Sequence, residues 1–170
     1  MNKVIWAGYI FLVMMGAHIA HAKANDADAT MAQNIVVDKV WARETFKMAR
    51  SGAAYAQLTN PSDAEIVLVG ASVDESIASM VELHETNMVN GMMRMQELEQ
   101  GIAIAPGASV SMQPGGMHFM IMGLQGPLVA GESFTLTLEF ADQSQQTLNV
   151  GIQDMSNRKA DDASKPKTHN

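Results

Sequence analysis

Two short stretches hold most of the side chains in this 170-residue chain that suit a soft metal ion. The first is HETNMVNGMMRM, residues 84–95, where Met88, Met92, Met93 and Met95 fall within eight positions behind His84. The second is PGGMHFMIMGL, residues 114–124, with His118 and Met120 two apart. Leucine and valine specify a packed core better than methionine, so this density needs a reason. Soft thioether donors select Cu(I), whereas zinc and hard cations prefer thiolate, imidazole or carboxylate. Each segment alone has an ordinary explanation. A strand histidine is more often a satisfied or exposed side chain, and strand methionines are more often packing filler. Together, the two segments fit a site of two imidazoles and two thioethers. Such neutral ligands leave the charge of a monovalent ion unaltered, and thioethers need no deprotonation.

The elements that position these groups follow from local rules. Asn90-Gly91 is a strong two-residue hairpin signal. That turn sets Val89 against Met92, Met88 against Met93, Thr86 against Met95 and His84 against Glu97. Because side chains alternate along a strand, one face carries His84, Thr86, Met88, Met93, Met95 and Glu97. His84 and Met95 become diagonal neighbours on it. In the second segment His118 and Met120 share a face, while Met117, Phe119 and Ile121 form an apolar face that reads as core. His118 is expected on the face away from the core.

The rest of the chain shows no long helical pattern. Ten short apolar or alternating runs are broken by turn signals: IVVDKVWARE, GAAYAQLTN, EIVLVGASV, SMVELHET, MMRMQEL, IAIA, SVSM, MHFMIMGL, SFTLTLEF and QTLNVGI. Asn60-Pro61-Ser62-Asp63, Asn90-Gly91, Pro106-Gly107, Pro114-Gly115-Gly116 and Gly131 punctuate them. This spacing predicts an all-β antiparallel sandwich or barrel. Trp41 is expected to pack at a sheet edge. Asp74, Glu75, Glu82 and Glu85 read as solvated strand ends rather than acid/base pairs. Gly115-Gly116 reads as a turn, since a phosphate loop would need a strand–helix context and a nearby lysine.

The termini differ in character. Residues 1–22 read as a secretory signal peptide, with Lys3, an apolar stretch from Val4 to Ala20 and a small-x-small Ala20-His21-Ala22 site. The apolar run is short and interrupted by Gly and His, which disfavours a membrane anchor. Residues 23–33 read as a flexible leader, 34–152 as the folded domain and 153–170 as a disordered tail. Loss of Lys3 takes the net charge from −7 to −8. A nucleic-acid binder is usually basic, so that class is disfavoured. The chain has no cysteine, which removes disulfide exchange, thiolate nucleophiles, cysteine-linked lipid and a blue-copper site. Beyond the signal peptide only His84, His118 and His169 remain as histidines.

These motifs resemble the PCuAC-type periplasmic copper chaperones. That family carries a histidine, a methionine eleven residues later, and His-x-Met after a further spacing of just over twenty. Here His84 is followed by Met95 at +11, and by His118-Phe119-Met120 after 22 intervening residues. VELHE, IAIAPG, PGGMHFMIMGL and GAAYAQLTNPS also look like the family, and the likeness runs over roughly 36–150. Two departures stand out. Thr86 occupies a position where the family often has methionine, leaving Met88 or Met93 as the nearest substitutes. The tail lacks the His/Met-rich extension of some members. The resemblance implies a cupredoxin-like antiparallel β-sandwich of Greek-key type and a Cu(I) site at His84, Met95, His118 and Met120. It further implies a carrier rather than an enzyme. The copper would go towards the copper-A centre of cytochrome c oxidase, sometimes alongside a thioredoxin-like copper-binding partner. A periplasmic copper store or resistance protein without a dedicated recipient is the alternative.

Overall fold

A computed structural model describes residues 35–154. The signal peptide and leader, and all but the first two residues of the tail, lie outside the described residues. Each of the ten runs becomes one strand, and no described residue is helical. In chain order the strands are β1 (Val36–Arg43), β2 (Ser51–Thr59), β3 (Ile66–Val73), β4 (Met80–Val89) and β5 (Met92–Glu97). They continue with β6 (Ile102–Ile104), β7 (Ser109–Met112), β8 (Met117–Met122), β9 (Ser133–Phe140) and β10 (Gln145–Gln153).

Hydrogen bonding links the strands in the order β5-β4-β8-β2-β1-β10-β9-β3-β6, with β7 added to β2. β3 also meets β4 through Ala71 and Val81, so the ladder closes on itself around one core. Pairing is antiparallel except between β1 and β10, which run parallel with Trp41 opposite Gly151. This places β1 inside the sheet, between β2 and β10. Trp41 is therefore buried in an interior strand against Tyr55, with ring centroids 4.5 Å apart, and not at a sheet edge. The edge expectation failed because the partner strand β10 is more than 100 residues away, beyond the reach of local pattern.

The core draws on every side of this closed ladder. Leu58, Leu68, Leu83, Ile104, Phe119, Ile121, Leu136, Leu138 and Val150 are buried within it. Strand alternation explains which side chains enter: Leu83 is core and its neighbour His84 is not, and Phe119 and Ile121 are core while Met120 is not. Asn60 shows how a buried polar group is kept at the β2–β3 turn. Its amide donates to Ala64 O at 2.7 Å and Ile104 O at 2.9 Å, and its Oδ1 accepts from the Ser62 N–H at 2.9 Å. Asp74 similarly caps the turn after β3, where Ser76 donates from its hydroxyl and its N–H. These bonds hold the exposed carboxyl below its usual range.

Candidate metal site

The β4–β5 hairpin has the register its turn chemistry predicts. Asn90 and Gly91 have φ of 53° and 79°, the two positive values a type I′ turn requires. His84 lies opposite Glu97, Thr86 opposite Met95, Met88 opposite Met93 and Val89 opposite Met92. The long-range half of the arrangement comes from β8, which pairs with β4 on its other side. That pairing sets His84 directly opposite His118 and Glu82 opposite Met120. His84, Met95, His118 and Met120 thus share one face of three adjacent strands.

That face is roofed in part. Met95, His118 and Met120 line a single cavity of about 560 Å³ together with Tyr55, Thr86 and Met93. The β1–β2 connection and the Pro114-Gly115 turn complete its walls, and Phe46 stands exposed at its rim. Consequently His118 is buried, at 5% exposure, although its face points away from the core. Tyr55 covers it, with ring centroids 6.4 Å apart, and the His84 ring lies 6.0 Å away. Met95 is by contrast exposed, and Met120 is half-buried. Of the four candidate ligands His118 is the most buried and Met95 the most exposed, and His84 is the one that does not line this cavity.

Hydrogen bonding assigns the imidazole tautomers. His118 Nδ1 lies 3.0 Å from Gly116 O. A carbonyl only accepts, so Nδ1 carries the proton and Nε2 keeps the lone pair. The same carbonyl accepts the Thr86 N–H at 3.2 Å, tying the β7–β8 turn to β4. His84 Nε2 lies 2.8 Å from Glu82 Oε2, so in the neutral ring Nε2 donates and Nδ1 holds the lone pair. That Nδ1 is buried with no hydrogen-bond partner. An orphaned buried acceptor costs about 1–3 kcal/mol, and ligation of a metal is one way to satisfy it. Both histidines are thus held by their second nitrogen and offer one free lone pair each. This is the donor chemistry a copper site needs.

Two further residues belong to this face. Glu82 is the oriented partner of His84, not merely a solvated strand end, and Glu97 faces His84 across the hairpin. Ligand atoms of Glu82, His84 and Glu97 lie within 4.8 Å of one another. A sequence signal for them exists: Glu82 and His84 are two apart in a strand, and the hairpin register already sets Glu97 against His84. Asp74, Glu75 and Glu85 take no part in the cavity, and Gly115-Gly116 forms the β7–β8 turn.

Fold and donor face together define a PCuAC-type, cupredoxin-like domain. Among solved structures, the copper-bound PCuAC domain from PmoF2 superposes with a TM-score of 0.56 at 19% identity, covering 71% of this chain and 92% of that one. A Cu(I)-bound protein of Deinococcus radiodurans matches with a TM-score of 0.57 at 30% identity, covering 76% of this chain and 85% of that one. A family described as "Putative lipoprotein LpqE-like" matches residues 35–152. A Leifsonia xyli subsp. xyli protein that shares the lipoprotein description is 35% identical over 149 residues, covering 86% of each chain. The chain belongs to this LpqE-like family, of PCuAC type. Despite that description, the sequence has no cysteine through which a lipid could be attached.

Proposed function

We propose that this protein is an exported Cu(I) carrier that holds one ion through His84, Met95, His118 and Met120. The observation that carries this reading is the β4–β8 register. It sets two hydrogen-bonded histidines directly opposite each other, with Met95 and Met120 on the same face. Such ligands suit Cu(I) over zinc, since the set has no thiolate and two soft sulfurs. Met88 and Met93 pair two register positions beyond Thr86 and Met95, on the same face towards the hairpin tip. The Cu(I)-bound Deinococcus radiodurans relative supports the choice of ion.

Residues 1–22 act as a cleaved signal peptide, and the mature chain works in the periplasm as a carrier without catalytic turnover. Its recipient is the copper-A domain of cytochrome c oxidase, with a thioredoxin-like copper-binding protein as a further partner. The half-open site supports this role: an incoming thiolate displaces exposed Met95 before it meets the buried His118. Thiolates are stronger soft donors than thioethers, so transfer runs downhill. Anaerobic Cu(I) titration with X-ray absorption tests the ligand set, with two nitrogen and two sulfur donors expected. Mixing the loaded protein with an apo copper-A domain, separating them and measuring copper in each tests delivery. Copper that stays put at equilibrium favours storage instead.

A further inference from the structure

The mouth of the cavity differs in charge from the rest of the molecule. Residues 35–154 carry five Lys or Arg against fourteen Asp or Glu. Three of the five, Arg43, Lys47 and Arg50, fall within eight residues at the end of β1 and in the β1–β2 connection, where Glu44 is the sole carboxylate. That connection walls the cavity. A fourth, Arg94, sits on β5 between the cavity-lining Met93 and Met95. Among the described residues no carboxylate is ion-paired with any of the four. Residues 155–170 continue the pattern, with four Lys or Arg against two Asp. The chain enters them from Gln153, whose carbonyl accepts the Glu44 N–H at 3.0 Å, beside the same wall.

Between these cations the surface is apolar. Phe46 and Met48 are 74% and 80% exposed, and Met93 and Met95, which line the cavity with Phe46, are more than half exposed. Exposed apolar residues rimmed by charge mark interaction surfaces, and Phe, Met and Arg are enriched where proteins meet. We propose that this mouth docks the acidic face of a partner protein, one whose Asp and Glu ring an apolar centre that holds the thiolates receiving the ion. The cargo rests on the Cu(I) carrier reading, while the docking surface does not. Arg outnumbers Lys three to one among the four cations, which favours a protein over an anionic bilayer, since Lys is depleted at protein interfaces.

The overall charge of −7 argues the other way, because at long range it attracts basic partners. Screening decides between the two. At about 0.15 M salt the Debye length is about 8 Å, so an approaching surface feels the cations at the mouth and little of the remote carboxylates. Glu82 and Glu97, the carboxylates on the copper face, stand beside His84, which does not line the cavity. The face is thus positive on its β1–β2 side, and an acidic partner is oriented onto that side.

The test uses two Cys-x-x-Cys peptides of equal length, one flanked by Glu and Leu, the other by Lys and Leu. Binding of each labelled peptide to the metal-free full chain is followed by fluorescence anisotropy, and Cu(I) transfer from the loaded chain is timed anaerobically. At about 0.15 M salt the acidic peptide is expected to bind about fivefold or more tightly than the basic one, with the difference lost near 1 M, where the Debye length is about 3 Å. Lys47→Glu with Arg50→Glu should abolish the preference and slow transfer to the acidic peptide. Lys39→Glu, a reversal at an exposed β1 residue that does not line the cavity, should leave most of it. Phe46→Ser with Met48→Ser should weaken binding of both peptides at either salt concentration. All these variants should keep the parental Cu(I) affinity. Equal binding of the two peptides, or equal effects of Lys39→Glu and the mouth reversal, overturns the proposal. So does unchanged transfer to the acidic peptide after the reversal. Vesicles of phosphatidylglycerol that bind the parent but not the reversed variant, with no preference between the peptides, would make the surface a lipid contact and overturn it too. If the parent holds no Cu(I) yet its metal-free form discriminates the peptides, the carrier reading fails while the docking surface stands.

Discussion

Phe119 tests whether the two faces of β8 are independent, because it sits between His118 and Met120 and has no exposed surface. It pairs with Leu83 on one side and Ala54 on the other, both buried. Phe119→Ala removes most of a ring from a closed core, so the loss combines transfer with a residual cavity and amounts to about 3–5 kcal/mol. For a domain of this size each kcal/mol moves Tm by roughly 3–5 °C, so the midpoint should fall by about 10–20 °C. The total stability of a domain is about 5–15 kcal/mol, so most of the variant population stays folded at 25 °C. The proposed Cu(I) ligands lie on the opposite face, so a saturating Cu(I) addition should raise the variant's Tm by about as many degrees as the parent's. Phe119→Leu, which loses less volume, provides the milder member of the series. The assay is thermal unfolding by circular dichroism, apo and Cu(I)-loaded, under anaerobic conditions. A fall of less than about 1 kcal/mol on Phe119→Ala would show that the face assignment is wrong. Loss of the Cu(I)-induced rise in a folded Phe119→Leu protein would show that the core and the site are coupled.

Further outcomes are expected from the same reasoning. His84→Ala, Met95→Ala, His118→Ala and Met120→Ala should each weaken Cu(I) binding in chelator competition. Met112→Ala should leave binding intact and instead lose about 2–5 kcal/mol of stability, because Met112 is a buried core residue on β7. Gly101→Ala should destabilise the fold by about 1–3 kcal/mol in urea titration, since φ is +73° there and a Cβ would fall 2.4 Å from Leu68 O. Gly91→Ala meets open space at φ +79°, so its strain should stay in the hairpin tip and lower the midpoint less than Gly101→Ala does. Removal of residues 156–170 should spare both the unfolding midpoint and Cu(I) affinity, and lost affinity would bring His169 into the site.

Much of the local architecture was legible in the residues alone. All ten strands follow from short alternating runs between Gly, Pro and Asn turn signals, since both the pleat and the turn are set within a few residues. The β4–β5 register was readable for the same reason. Asn90-Gly91 admits one tight turn, and one turn fixes every pair down the hairpin, His84 against Glu97 included. Which face of β8 is core also followed from the alternation of His118 and Met120 with Phe119 and Ile121.

What the tertiary structure alone decided are the pairings between distant segments. Nothing in the spacing of His84 and His118 states that β8 docks beside β4 in the register that sets these two opposite each other. Nor does Trp41 announce that a parallel partner will cover its strand. The burial of His118 arises because Tyr55 and the β1–β2 connection close over a face that alternation marks only as non-core. Glu82 has the sequence pattern of a solvated strand end, whereas in the fold it is the hydrogen-bond partner of His84 Nε2. The physical reason is common to all four. Periodicity and turn chemistry act over a few residues, whereas these contacts depend on how separate strands share one core, and that is settled only when the whole chain has closed around it.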